Sequence, residues 1–468
     1  MEQFKPVSNE QLYLLPPSVE DFIPSGHLAR VISDVVETID VTVIAAKYSV
    51  LGQKSYSPHL LLKLLFYGYS IGIRSGRKIA AACEQDTAFM YLASMYKPDF
   101  RTINDFRKNN PAFIEQAFIH IVRVCKSMGM GKAGTLILDG TKLKANASAD
   151  NSKSKEQYNQ WLERIDTDIK TILDEAASTD KQEDELYGNK RGDELPKELQ
   201  SKQRLKEKIK QALADMNNED QRINLTDKDA KFIKSNKGID LNYNCQAAIT
   251  EDGLIVSAYT SNNTSDRKET VKSVCIAEET TLDIYTEVLA DSGYASFDNY
   301  EELTYQGKTL YIPDQQMNIE SKLEENPYHR NHFIYNKEKN IYVCPEDKEL
   351  TFRGNSVHKL NKQKSSVYIC KDCPACEKQQ LCTKGKYRQI HVQTREILRQ
   401  QIRERLNTLE GKLKYVKRMR IESIFGNIKH NLNYIHLYLK GLEKTTAEWQ
   451  LICIGHNLKK IHKLKLAY

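Results

Sequence analysis

A charged, glycine-poor stretch from Asn151 to Gln221 divides two groups of strand-like runs, and this interruption most restricts what the 468-residue chain can fold into. Tyr158, Leu162, Ile165, Ile169 and Ile172 alternate at four and three spacing, and Leu205, Ile209, Ala212 and Met216 resume the pattern after a polar middle. That period predicts two antiparallel helices closed on each other by an apolar seam. Before them, Thr135 to Leu138 is a short apolar run of β-formers that stops at Asp139-Gly140, as a buried central strand would. After them, Tyr243–Thr250 and Leu254–Tyr259 flank Glu251-Asp252-Gly253, whose Asp-Gly pair supplies the positive φ angles of a tight hairpin. A strand at Glu287–Ala290 runs into Asp291, and a shorter one covers Thr309–Ile312. The sheet is therefore expected to be completed across an insertion, in a mixed α/β fold. The inserted helices contact DNA, contact a second subunit, or serve as a packing arm.

The residues before the first strand read as helical. Leu28, Val31, Ile32, Val35 and Ile39 repeat at helical spacing, and Ser57-Pro58 opens an apolar helix reaching about Gly72. A helix is expected from Ala80 to Tyr91, then a short one capped by Thr102 that would present Arg101, Arg107 and Lys108 to DNA. The resulting division is an N-terminal helical DNA-binding domain at 1–130, a catalytic core from 131–150, 226–317 and 394–468, a helical hairpin at 151–225 and a Cys-rich insertion at 318–393.

Charge and cysteine usage narrow the function. The net charge is +7, but from Thr383 to Tyr468 there are 19 Lys and Arg against 6 Glu and no Asp, a net +13 that leaves the rest at −6. Such a basic segment suits a polyanion, because neutralising phosphates releases counterions. Five of the ten cysteines lie singly in apolar surroundings, as in a reducing cytoplasm. The others, Cys344, Cys370, Cys373, Cys376 and Cys382, carry C-x2-C spacing that suits a structural Zn²⁺ knuckle using four of the five. No run of 18 apolar residues and no basic-then-apolar start point to a membrane or to export.

Chemistry on a phosphodiester backbone requires acceptor oxygens gathered around hard cations about 3.5–4 Å apart. Asp139 and Asp291, each following a strand, can supply two; the alternative for either is a turn or cap. Asp266 rivals Asp291, but a capping box with Glu269 accounts for it. The third comes from YVKRMRIESIFGNIK at Tyr415–Lys429. On one helix, Tyr415, Arg418, Glu422 and Lys429 fall within an arc of about 60° over about 21 Å. Glu422 can hold a metal there while Arg418 and Lys429 grip phosphates and Tyr415 offers a hydroxyl or a ring face.

Tyr415-x2-Arg418-x3-Glu422-x6-Lys429 resembles the Y-R-E-K signature of one division of the DDE insertion-sequence transposases. LILDGTKL and LADSGY resemble the contexts of that family's two aspartates, YNCQAAIT its Y-N-x-Q strand, and SGRKIAAACEQDTAFMYLA with PDFRTINDFR its helical N-terminal domain. The group usually numbered 1182 is the nearest in pattern. The resemblance implies an RNase H-like core, with Asp139 bridging two Mg²⁺ (or Mn²⁺) ions and Asp291 and Glu422 each favouring one. It also implies a dimer that pairs the terminal inverted repeats, cleaves them to free 3′-hydroxyls and joins those to target DNA. A cytoplasmic, nucleoid-associated enzyme follows. Some relatives hold a flipped base on an aromatic, for which Trp161 or Tyr294 could serve, although core packing suits Trp161 and Trp449. A non-catalytic DNA-binding protein and a structure-selective nuclease or resolvase remain as alternative readings.

Overall fold

The structure, a computed structural model, describes residues 18–48, 55–187, 197–218, 221–235, 238–315, 317, 326–336, 338–357, 364–393 and 395–467. It is a mixed α/β molecule. Helices come first: α1 (Leu28–Glu37), α2 (Pro58–Ile71), α3 (Gly76–Gln85), α4 (Thr87–Leu92), α5 (Phe100–Asn109) and α6 (Pro111–Ser127), with a single helical turn at Thr42–Ala45 between α1 and α2. Ser57 stands at the N-cap of α2 and Pro58 in its first turn, where an amide N–H would lack a partner. Gly72 closes α2 at φ +88°, the left-handed geometry glycine adopts without penalty.

Two expectations about these helices fail. The helix anticipated from Ala80 to Tyr91 is two, because Asp86 turns its backbone extended and its carboxylate accepts the Ala88 and Phe89 N–H groups. Likewise Asp99, not Thr102, caps α5, accepting the Arg101 N–H at 2.8 Å. In both places an aspartate offers the first turn a stronger acceptor than the surrounding periodicity reveals.

The main sheet is built from β1 (Thr135–Lys144), β2 (Lys231–Ser235), β3 (Gly238–Thr250), β4 (Ile255–Ser261), β5 (Glu287–Leu289) and β6 (Thr309–Tyr311). Its order is β2-β3-β1-β5-β6, with β4 also on β3. β1 to β4 are antiparallel, whereas β5 and β6 run parallel to β1. The β3–β4 turn falls at Glu251-Asp252-Gly253 as expected, with Gly253 at φ +82°. Between β4 and β5, α9 (Thr270–Thr281) crosses the sheet, and α10 (Phe297–Tyr305) links β5 to β6.

α7 (Lys155–Tyr187) and α8 (Lys197–Ala214) pack together through Tyr158, Ile165, Ile209 and Ala212. Lys202–Asp168 and Lys206–Asp166 ion pairs flank this seam. A separate antiparallel sheet contains β7 (Ile334–Asn336), β8 (Ile341–Val343), β9 (Glu349–Val357), β10 (Lys364–Ile369) and β11 (Gln389–Gln393), in the order β11-β10-β9-β8-β7. It encloses its own small core of Phe333, Leu350, Tyr368 and Ile390 with the grouped cysteines.

After α11 (Glu396–Asn407), α12 (Leu409–Val416) and α13 (Met419–Gly426), the chain closes with α14 (Leu442–Leu466). This last helix is buried along much of its length and touches α2, α6 and β4. It therefore ties the N-terminal helices to the sheet. Trp449 on α14 is fully buried and donates its indole N–H to the Gln246 carbonyl at 2.8 Å. Nearby, buried Arg74 lies over the Tyr434 and Tyr438 rings and 3.7 Å from the buried Glu448 carboxylate. The basic run from Arg74 to Lys78 thus places its first arginine inside the molecule. Among the described residues, no helix is long and apolar enough to cross a membrane.

Candidate active site

Strand register brings the two aspartates together. β1 does not end at Asp139 but continues to Lys144, because β3 pairs with it along that whole length. Its parallel neighbour β5 is shorter, with Ile137 opposite Leu289 as the last pair. Two residues further on, in extended backbone, Asp139 and Asp291 reach the same level of adjacent strands. A period of two gives them the same pleat. Asp291 is also a cap, as the simpler reading allowed: its Oδ1 accepts the Gly293 N–H at 2.8 Å.

Glu422 arrives from α13, which packs on β1. The single helix expected to carry Tyr415 to Lys429, and the helical chain leading into it, are broken three times. Thr408 separates α11 from α12 and caps the latter, and the sharp bend brings Gly411 so close that a Cβ there would overlap the Arg405 carbonyl oxygen. Lys417 and Arg418 separate α12 from α13, and a π-helical turn covers Asn427–Asn431. The four residues therefore do not form one straight stripe. The first three still meet. The Arg418 guanidinium lies 5.7 Å from the Tyr415 ring centroid, 2.5 Å from Glu422 Oε1 and 3.9 Å from Asp139 Oδ2. Lys429 sits in the π turn, half-buried, where its charge works against the burial that raises the Cys245 thiol.

Burial pushes the Asp139 carboxyl up to about 7, reinforced by the negative charge of Asp291 and opposed by the Gly140 N–H and Arg418. Asp291 is also raised, chiefly by burial, with the Gly293 N–H opposing and Asp266 adding to the rise. Two buried carboxyls that resist ionising side by side, and that offer only oxygen, are a donor set a divalent cation relieves. Among the described residues, no three His, Cys, Asp or Glu side chains stand close enough to hold a metal ion as arranged. At the triad, Arg418 lies between Glu422 and Asp139.

Asp266 corrects the sequence reading. Ser265 caps the following 3-10 turn, which leads into α9, and the presumed box partner Glu269 is buried against Tyr259, Ser261 and Asn263. The Asp266 carboxylate instead accepts Asn244 Nδ2 at 2.6 Å, Gln246 Nε2 at 2.7 Å and Lys142 Nζ at 3.0 Å. Register explains the grouping, since Gly140 lies opposite Gln246 and Lys142 opposite Asn244. Gly140 has no room for a side chain: a Cβ would come 2.4 Å from Gln246 Nε2 and 3.1 Å from Asp266 Oδ1. The signal available in the sequence was two buried amides, Asn244 and Gln246, at alternate positions of an otherwise apolar strand.

Of the other expected residues, Tyr294 and Arg107 are placed differently, while Trp161, Arg101 and Lys108 lie where the sequence suggests. Tyr294 is fully buried and donates its hydroxyl to Gln246 Oε1, so its face is closed to a flipped base. Trp161 stacks at 9° on Tyr158, 6.4 Å between ring centres, with Lys153 Nζ 5.3 Å from its ring. Arg101 and Lys108 are exposed. Arg107 is buried, donating to the Tyr69 hydroxyl at 2.7 Å and the Arg74 carbonyl at 2.9 Å, which withdraws it from any surface contact.

Cys344, Cys370, Cys373, Cys376 and Cys382 line one cavity at the end of the small sheet. The Lys348 N–H donates to Cys344 Sγ and the Arg388 N–H to Cys373 Sγ, each at 3.3 Å. Burial and the neighbouring Cys373 thiol push Cys370 up to about 12, so without a cation it stays protonated.

Residues 343–462 match the family described as "Transposase DDE domain", and residues 17–109 match "Transposase domain (DUF772)". Both are transposase domains. Together they support an insertion-sequence DDE transposase, and with it a metal-dependent enzyme that cuts DNA. The transposase DDE match contains Tyr415, Arg418, Glu422, Lys429 and all five grouped cysteines, while Asp139 and Asp291 precede it. No curated protein matches the chain.

Proposed function

We propose that this protein cleaves the ends of a mobile DNA element and transfers the freed 3′-hydroxyls to target DNA, using Asp139, Asp291 and Glu422. The observation that carries the reading is that Asp139, within β1, and Asp291, two residues past the end of parallel β5, stand at the same level, with Glu422 at the far side of the Arg418 guanidinium. Sheet order and the two transposase-domain matches support an RNase H-like core interrupted by the α7–α8 arm and the Cys-rich sheet. The Tyr415-to-Lys429 spacing supports membership of the Y-R-E-K division and the group numbered 1182.

Asp139, Asp291 and Glu422 are the side chains that would hold two Mg²⁺ or Mn²⁺ ions, which would supply Lewis-acid polarisation of the scissile phosphate and its attacking water. Arg418 keeps Glu422 oriented and carries a positive charge to the phosphate side. Tyr415 packs against that guanidinium and limits its swing. Behind the carboxylates, Asp266 holds Lys142, Asn244 and Gln246, and Gln246 in turn holds Tyr294, so the floor under Asp139 is fixed by hydrogen bonds. Asp139, raised to about 7, must lose its proton before a cation binds there.

Double-stranded DNA, as terminal repeats and target, is the partner, and pairing two ends calls for a dimer. Exposed Arg101 and Lys108, with Lys429, are the cations assigned to phosphate. The thiol cavity is assigned a structural Zn²⁺. Asp139→Asn tests the reading: end cleavage should vanish while end binding persists. Unchanged cleavage would remove Asp139 from the chemistry, end binding without cleavage by the unsubstituted protein would leave a role in binding DNA alone, and cleavage without joining of a pre-cut 3′ end would favour a nuclease or resolvase.

A further inference from the structure

The Cys-rich sheet has an aromatic face that the active site does not use. Cross-strand register sets Tyr335 opposite Tyr342 and Phe352 opposite Tyr368, with all four rings on one side. The rings form a continuous ladder. Ring centres are 4.9 Å apart for Tyr335–Tyr342, 5.0 Å for Tyr342–Tyr368 and 5.6 Å for Phe352–Tyr368. The deeper member, Tyr368, is buried, while Tyr335 and Phe352 are each 45% exposed.

The rings are held rather than loose. Asn340, in the β7–β8 turn at φ +51°, accepts the Tyr335 hydroxyl at 2.9 Å and the Tyr368 hydroxyl at 2.7 Å. Fixing the polar tips lowers the ordering cost of anything that stacks on the faces. Further along the same side, Ser366 Oγ donates to exposed Asn355 at 3.1 Å, placing an amide next to the last ring.

Charge identifies the occupant. Residues 326–393 carry 13 Lys and Arg against 6 Asp and Glu, a net +7 that equals the net charge of the whole chain. Lys339 in the β7–β8 turn, Arg353 on β9 and Lys364 on β10 are exposed. Fixed aromatic faces surrounded by cations fit a strand of unpaired nucleotides: phosphates meet the cations and each base has a flat face to stack. A duplex fits less well, because its base faces are already covered by one another.

We propose that the Tyr335–Phe352 face of this sheet is a stacking platform for unpaired bases of single-stranded DNA, with the surrounding lysines and arginines on its phosphates. The inference rests on the transposase reading for its substrate, since strand cleavage and joining expose unpaired ends. It adds a second DNA contact, distinct from the carboxylate site.

The test uses the full chain with its metals and a labelled oligothymidylate, read by fluorescence anisotropy beside a duplex of equal length. Tyr335→Leu and Phe352→Leu keep apolar bulk but remove the rings. Each should weaken single-strand binding by roughly ten-fold, with the duplex affinity much less affected. Tyr335→Trp and Phe352→Trp restore a ring and should hold or tighten it. Equal losses on both DNAs, no loss in the double leucine variant, or loss in the tryptophan variants to the level of leucine would overturn the proposal. A leucine double variant that instead loses self-association, with single-strand affinity intact, would identify the face as a contact between copies and overturn it too. End cleavage, abolished by Asp139→Asn in the parent reading, is assayed in parallel. Cleavage by the wild type with no ring effect removes this inference alone, whereas absence of cleavage removes the reading beneath it.

Discussion

Replacing Asp139 with asparagine should stabilise the metal-free protein at alkaline pH while abolishing its chemistry. The carboxyl is raised from 3.8 to about 7 by burial and by Asp291, and its side chain is only 16% exposed. At about 1.4 kcal/mol per pH unit, ionising it in the folded state costs up to about 4 kcal/mol. The sign follows from proton binding. Between pH 4 and 7 the folded chain retains a proton that the unfolded chain has released, so this group's stabilising contribution is full below 4, falls through that window and stays lost above 7. Asparagine does not titrate and keeps an oxygen for the Gly140 N–H. In chelator, the melting temperature of Asp139→Asn should therefore exceed that of wild type by several degrees at pH 8.5, and the gap should close on titration to pH 4. Adding Mn²⁺ should raise the wild type but not the variant. A gap that is independent of pH, or a variant less stable than wild type at pH 8.5, would refute the placement of Asp139 as a buried carboxyl beside Asp291.

Arg418→Gln removes a charge that lowers Asp139, so the alkaline rise in end-cleavage rate should move to higher pH; an unmoved profile would separate the two residues functionally. Gly140→Ala forces a methyl into the Gln246–Asp266 contact and should cost roughly 1–3 kcal/mol in urea unfolding together with most cleavage, since the side-chain ends of Gln246, Asn244 and Asp266 that it meets are tied to one another by hydrogen bonds. Arg107→Ala should cost about 3–5 kcal/mol by stranding buried partners, against about 0.5 kcal/mol or less for exposed Arg101→Ala, whose effect should appear in duplex affinity instead. Cys373→Ser should lower zinc content measured by elemental analysis and drop the unfolding midpoint; a stoichiometric metal content retained in that variant would exclude Cys373 from the ligand set.

Local chemistry was written in the sequence wherever it competes only with local alternatives. The Asp-Gly turn before β4, the Ser-Pro start of α2 and the heptad seam of α7 and α8 depend on backbone angles or on a period, and both are readable along the chain. So were the candidate acids, since a carboxylate after a short apolar run is a local pattern. Partner-dependent features were not. Arg107 reads as one more cation in a basic stretch until Tyr69 and the Arg74 carbonyl enclose it. Asp266 reads as a cap until β1 and β3 bring Lys142, Asn244 and Gln246 to its oxygens from far along the chain. The Tyr415-to-Lys429 spacing suggests one straight helix, yet the chain breaks at Lys417–Arg418 and again in the π turn at Asn427–Asn431, on either side of the segment that packs on β1. Sequence determined which side chains were available and which elements would carry them; tertiary structure decided which meet, because register between β1 and β5 and burial around Asp139 are properties of paired surfaces that no single segment contains.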